Sequence, residues 1–128
     1  ELYLDGGISD AIPIKKSIEN GNTKNIIIMT RDKNYRKKQS NLGKISAIRY
    51  KKYPKLVELM NTRFSRYNET LEYIYEQEKK GNVFIIQPEK PLNLGRIEKN
   101  REKLTNVYNE GHKEAEKRYE AMIKYLSE

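Results

Sequence analysis

An α/β fold, with a short and mostly parallel sheet and two long helices in its C-terminal half, is what this 128-residue chain predicts. Three observations carry that expectation. The first is a pair of unbroken apolar runs, Ile26-Ile27-Ile28-Met29 and Val83-Phe84-Ile85-Ile86, which read as strands buried on both faces. The second is strand, helix and strand in succession over residues 1–30, a pattern that needs a parallel sheet. The third is apolar spacing of three and four residues over two later stretches.

Taken in order, residues 2–4 read as a short buried strand ending in Asp5-Gly6-Gly7. Residues 5–10 form a turn, with Ser9 or Asp10 as a helix cap. Pro13 then opens a helix over about 14–19, stopped by Asn20-Gly21-Asn22. Residues 26–30 form the second strand, and 31–54 a basic loop. A helix follows over about 55–80, with Leu56, Met60, Phe64, Tyr67, Leu71 and Ile74 on one stripe and Gly81-Asn82 at its end. Residues 83–87 are a third buried strand, stopped by Pro88 and Pro91. The last helix, about 99–126, places Leu104, Val107, Tyr108, Gly111, Ala115, Tyr119, Met122 and Leu126 on one side.

Composition narrows the chemistry. With no cysteine, thiol nucleophiles, disulfides and thiolate metal sites are excluded, and a single His argues against a zinc site. No cofactor and no metal are expected. Neither apolar run is long enough to span a bilayer, and no signal-peptide pattern is present, so a cytoplasmic protein with peripheral membrane contact is expected. Of the net charge of +8, residues 31–66 hold 12 basic and 2 acidic side chains, a local excess of +10. Arg31, Lys33, Arg36, Lys37, Lys38, Arg49, Lys51 and Lys52 are therefore candidate contacts for an anionic surface, interleaved with Tyr35, Tyr50 and Tyr53. No nucleic-acid-binding motif accompanies them, which makes nucleic acid the weaker partner.

The chemistry-bearing candidate is Asp5, at the carboxyl tip of the first apolar run, where open α/β sheets place their sites. Gly6 and Gly7 read as the residues of a tight turn with positive φ. Gly7-Ile8-Ser9-Asp10-Ala11 comes close to a nucleophile elbow, but its serine lacks an adjacent base, since the one His is His112 in the last helix.

The stretch from Leu2 to Glu19, Leu-Tyr-Leu-Asp-Gly-Gly-Ile-Ser-Asp-Ala-Ile-Pro-Ile-Lys-Lys-Ser-Ile-Glu, resembles the D-G-[GA] region of bacterial patatin-like phospholipases. Residues 25–31 with Tyr35-Arg36-Lys37-Lys38 are similar to the segment after that motif. Residues 83–88, Leu94-Gly95-Arg96, and the helix bearing Leu104, Tyr108 and Gly111 are similar to the C-terminal region of the same group. The resemblance implies the C-terminal part of a three-layer α/β/α domain of a lipid acyl hydrolase with a Ser–Asp dyad. Of that dyad only the acid falls in this chain, on Asp5, with the implied role of accepting the serine proton and later activating water. The serine elbow and the glycine-rich oxyanion loop precede the motif in the family and have no match here. The chain alone is therefore expected to be inactive, with an acyl-ester substrate and a missing N-terminal part of the same protein as its partners. A sheet without those strands exposes an apolar edge, so the piece alone is expected to self-associate or rearrange. The alternative reading is a small basic α/β module that binds nucleic acid or another macromolecule.

Overall fold

The computed structural model describes residues 3–39, 47–95 and 97–128. Leu2 of the first expected strand, the centre of the basic loop and Arg96 lie outside the described residues. The chain is mixed α/β: α1 (Ile14–Glu19), β1 (Asn25–Ile28), α2 (Pro54–Lys79), β2 (Val83–Ile86) and α3 (Arg101–Ser127), preceded by a 3₁₀ turn at Gly6–Ile8. β1 and β2 pair in parallel with Ile26 beside Phe84 and Ile28 beside Ile86. Two compact units are present, one from Glu1–Asn22 with Arg36–Glu76, the other from Thr23–Tyr35 with Gln77–Glu128.

In the first unit Ile14 of α1 and Leu71, Ile74 and Tyr75 of α2 are buried, Ile74 completely. The 3–4 spacing of the α2 stripe explains Leu71 and Ile74. α1 ends at Gly21, whose φ of 88° is the left-handed conformation that glycine adopts without a Cβ penalty. Its start differs from expectation: Pro13 is the N-cap and supplies no side-chain bond, while Ser9 donates to Gly6 O at 2.9 Å. Neither Ser9 nor Asp10 caps α1.

The first expected strand is also corrected. Residues 3–5 are not in a strand, and Leu4 is 59% exposed. A strand exists only through ladder bonds, and the described sheet contains β1 and β2 alone. The parallel pair therefore joins residues 25–28 to 83–86, with α2 in the connection, and does not involve residues 3–4.

In the second unit β2 is buried along its whole length, whereas β1 alternates, with Ile28 75% exposed. The expectation of apolar cover on both faces thus holds for β2 and fails for β1. Phe84 and Ile86 pack against Tyr125, with Ala115 and Met122 beside them. The Phe84 and Tyr125 rings lie 5.7 Å apart, and the Arg118 guanidinium sits 4.7 Å over Phe84. Tyr125 OH accepts from Asn25 N at 2.9 Å and donates to Asn82 O at 2.8 Å. Lys24 Nζ donates to Tyr125 O at 2.7 Å and lies over the same ring. One side chain therefore ties α3 to both strands. The expected stripe of α3 is turned accordingly: Tyr108, Tyr119 and Leu126 are exposed, and Tyr125 is inside.

Gly81, at φ 76°, ends α2, and Asn82 folds back on Gln77 through both backbone and side chain. In α3, Gly111 stands in the interior of a 27-residue helix, where glycine costs about 1 kcal/mol relative to alanine. A Cβ there would meet nothing within 4 Å, so no close backbone approach requires the glycine.

The start of α3 is held by two polar side chains. Asn100 accepts from Lys103 N at 3.1 Å, and Glu98 accepts from Asn100 N and Lys99 N at 2.9 Å each. The backbone bonds from Asn100 and Lys99, then the Lys103 charge, hold the Glu98 carboxyl below its ordinary range. A lowered folded-state pKa contributes stability above the unfolded-state value and loses it as pH falls through the folded one. We expect the Glu98 carboxyl to titrate below the same residue in an unfolded peptide. Exchange of the Lys99 and Asn100 amides should quicken as it protonates. An NMR acid titration checks both; a midpoint at or above the peptide value contradicts the assignment.

Candidate functional site

Asp5 is exposed and N-caps the 3₁₀ turn: its Oδ1 accepts from Gly7 N at 2.8 Å. Backbone bonds from Ile8 N to Asp5 O and from Ser9 N and Asp10 N to Gly6 O close the turn. The two glycines act differently from the expectation, since neither has positive φ. A Cβ on Gly7 would stand 3.2 Å from Asp5 Oδ1 and 3.5 Å from Arg63 Nη2, so Gly7 keeps room for the carboxylate and a guanidinium. Gly6 has open space around it.

Two arginines of α2 hold this turn from 56 and 58 residues away. Arg63 Nε donates to Gly7 O at 2.8 Å. Arg66 Nη2 donates to Ile8 O at 2.8 Å and to Leu59 O at 2.7 Å. Three residues apart, they lie on one helical face and clamp consecutive carbonyls. Among the described residues neither makes an ion pair, so two positive charges stand beside the turn that carries Asp5. A space of about 20 Å³, lined by both arginines and residues 7–12, has room for one water. Arg66 Nε is buried without a protein partner. In the sequence these arginines stand out only as part of the basic excess over residues 31–66. The signal available was that they are the two arginines of α2, set next to Phe64 and Tyr67 of its apolar stripe.

The basic candidates divide. Arg36 pairs with Glu72 at 2.6 Å and lies 6.0 Å over Tyr75; Lys37 lies 5.1 Å over Tyr67, and its backbone is bracketed by Asn68. Arg31 stacks over Tyr35 at 5.0 Å. These three cations are spent on aromatic faces of the chain itself, each contact worth about 0.5–1 kcal/mol where exposed. Lys33, Lys38, Arg49, Lys51 and Lys52 are exposed. Arg31 and Lys33 belong to one compact unit and the other six candidates to the other.

Ser9 spends its hydroxyl proton on Gly6 O, and His112 is exposed on α3 beside Glu116 at 3.3 Å. Among the described residues no cluster of three His, Asp or Glu side chains forms a metal-binding set, and no helix is long and apolar enough to cross a membrane.

The fold so described defines a mixed α/β protein whose second half runs helix, strand, helix. Residues 53–127, which cover α2, β2 and α3, match the family described as "Domain of unknown function (DUF6363)", and the chain belongs to that family. No curated protein and no solved structure matches it. Asp5 and the basic segment up to Lys52 precede the matched residues.

Proposed function

We propose that this chain is the C-terminal part of a patatin-like lipid acyl hydrolase with a three-layer α/β/α fold, and that Asp5 is the acid of its Ser–Asp dyad. The observation that carries the reading is the Asp5 turn. A carboxylate at solvent is oriented by the Gly7 amide and left uncrowded by a residue without a side chain, in a turn whose backbone carbonyls two guanidiniums hold. A general base needs such a fixed, accessible position, with one lone-pair direction held and the others open. The chain supplies the acid. The serine and its oxyanion donors come from the segment that precedes it in this reading, and the chain alone does not turn over esters. The test is hydrolysis of a short-chain nitrophenyl ester and a phospholipid by the protein carrying that segment, with Asp5 and with Asp5→Asn.

The exposed cations Lys38, Arg49, Lys51 and Lys52 hold the enzyme at anionic lipid, each contributing about 1 kcal/mol near the surface. Replacing Lys51 and Lys52 by Gln should weaken co-sedimentation with phosphatidylserine vesicles, and added salt should weaken it for the parent. Equal binding to neutral vesicles contradicts this role.

A further inference from the structure

A second feature belongs to the unit that holds the sheet. A cleft of about 690 Å³ opens beyond the carboxyl ends of β1 and β2, the position at which open parallel sheets hold ligands. Its size falls within the range of small-molecule sites, about 300–1,000 Å³. We propose that this cleft binds an uncharged amphiphile with a single aliphatic chain. The inference stands whether or not Asp5 is a dyad acid.

Three observations support it. The apolar lining is aliphatic: Ile28 and Met29 from the end of β1, Pro88, Leu92 and Leu94 from the loop after β2, and Val107 from α3. Among the described residues no aromatic ring lines the cleft, so the walls suit a flexible chain in place of a stacked ring. Gly111 forms part of the α3 wall, and no packing contact within the protein accounts for a glycine there. What it preserves is the space in front of the helix. Finally, four carboxylates and three lysines line or bridge the mouth. Glu89 and Glu114 are both bridged by Lys117, at 3.3 and 2.9 Å, and these carboxylates raise the Lys117 pKa. Glu110, Lys90 and Lys103 also line the cleft, and Lys103 is 3.8 Å from Glu98. The surplus is a single negative charge, which disfavours an anionic head, and the side-chain amides of Asn93 and Asn106 offer hydrogen bonds to a neutral one.

The test is an amide NMR titration of the folded chain with monolauroylglycerol, laurate and dodecylammonium, each below its micellar concentration. The neutral lipid should bind saturably, with shifts at Leu92, Val107 and Gly111, and more tightly than either charged probe. Gly111→Leu, which fills the wall, should weaken that binding about tenfold. Gly111→Ala should raise the melting temperature, since its methyl meets no atom, and still weaken binding; it serves if the leucine variant does not fold. Tighter binding of laurate or dodecylammonium overturns the proposal. So does the absence of saturable binding, or unchanged affinity in a folded Gly111 variant.

Discussion

Asp5→Asn should lower ester turnover by about 10²- to 10⁴-fold, the usual contribution of a positioned general base, while circular dichroism and thermal melting stay as in the parent. The asymmetry follows from the turn. Asparagine keeps the Oδ1 acceptor that receives Gly7 N–H at 2.8 Å, so the 3₁₀ turn remains capped. The bonds from Arg63 and Arg66 end on backbone carbonyls and do not depend on the side chain at position 5. What asparagine removes is the ability to take a proton. Asp5→Ala should lose both, adding about 1 kcal/mol of destabilisation from the missing cap. Kinetics on the two variants, beside their melting curves, separate the roles. Turnover near the parent level in Asp5→Asn would show that Asp5 is a turn-capping residue and nothing more.

The largest expected effect on stability lies at Tyr125. Tyr125→Ala should cost about 3–5 kcal/mol, because it empties the space against Phe84 and Ile86 and abandons two polar partners. Tyr125→Phe isolates the hydroxyl. The ring stays 5.7 Å from Phe84, but Asn25 N–H and Asn82 C=O lose their bonds of 2.9 and 2.8 Å. Leaving such groups unpaired in a buried site costs about 1–3 kcal/mol. Urea unfolding measures both; a Phe variant as stable as the parent would mean that water replaces the hydroxyl at no cost.

The long elements were legible because local spacing determines them. Six apolar positions between Leu56 and Ile74 set a helix over about 55–80, close to the observed Pro54–Lys79, and Gly81 marks its end with a left-handed residue. Val83 to Ile86 read as a buried strand and is one. The first strand was misread because an apolar run is only half of a strand. The other half is a neighbour with free ladder groups, which no local pattern reports. The face of α3 was misassigned at one step: residues 125 and 126 are both apolar, and what draws Tyr125 inward is its hydroxyl, satisfied by Asn25 and Asn82 from distant parts of the chain. At the candidate site, Asp5 and Gly7 were legible as a motif. Of the two reasons for a glycine at position 7, positive φ fails, and room for the carboxylate, which a Cβ would approach to 3.2 Å, holds. Arg63 and Arg66 were invisible as partners of that turn, since a count of charges carries no direction.

The most direct measurement is labelling with a fluorophosphonate, which reacts only with an activated serine, followed by mass spectrometry of the peptides. It is made on the protein carrying the preceding segment, on its Asp5→Asn variant and on the present chain alone. We expect stoichiometric label on a single serine N-terminal to Glu1, little or none when Asp5 is replaced, and none on the isolated chain. Label on a serine within residues 1–128, or label that is as fast without the Asp5 carboxylate, would contradict it.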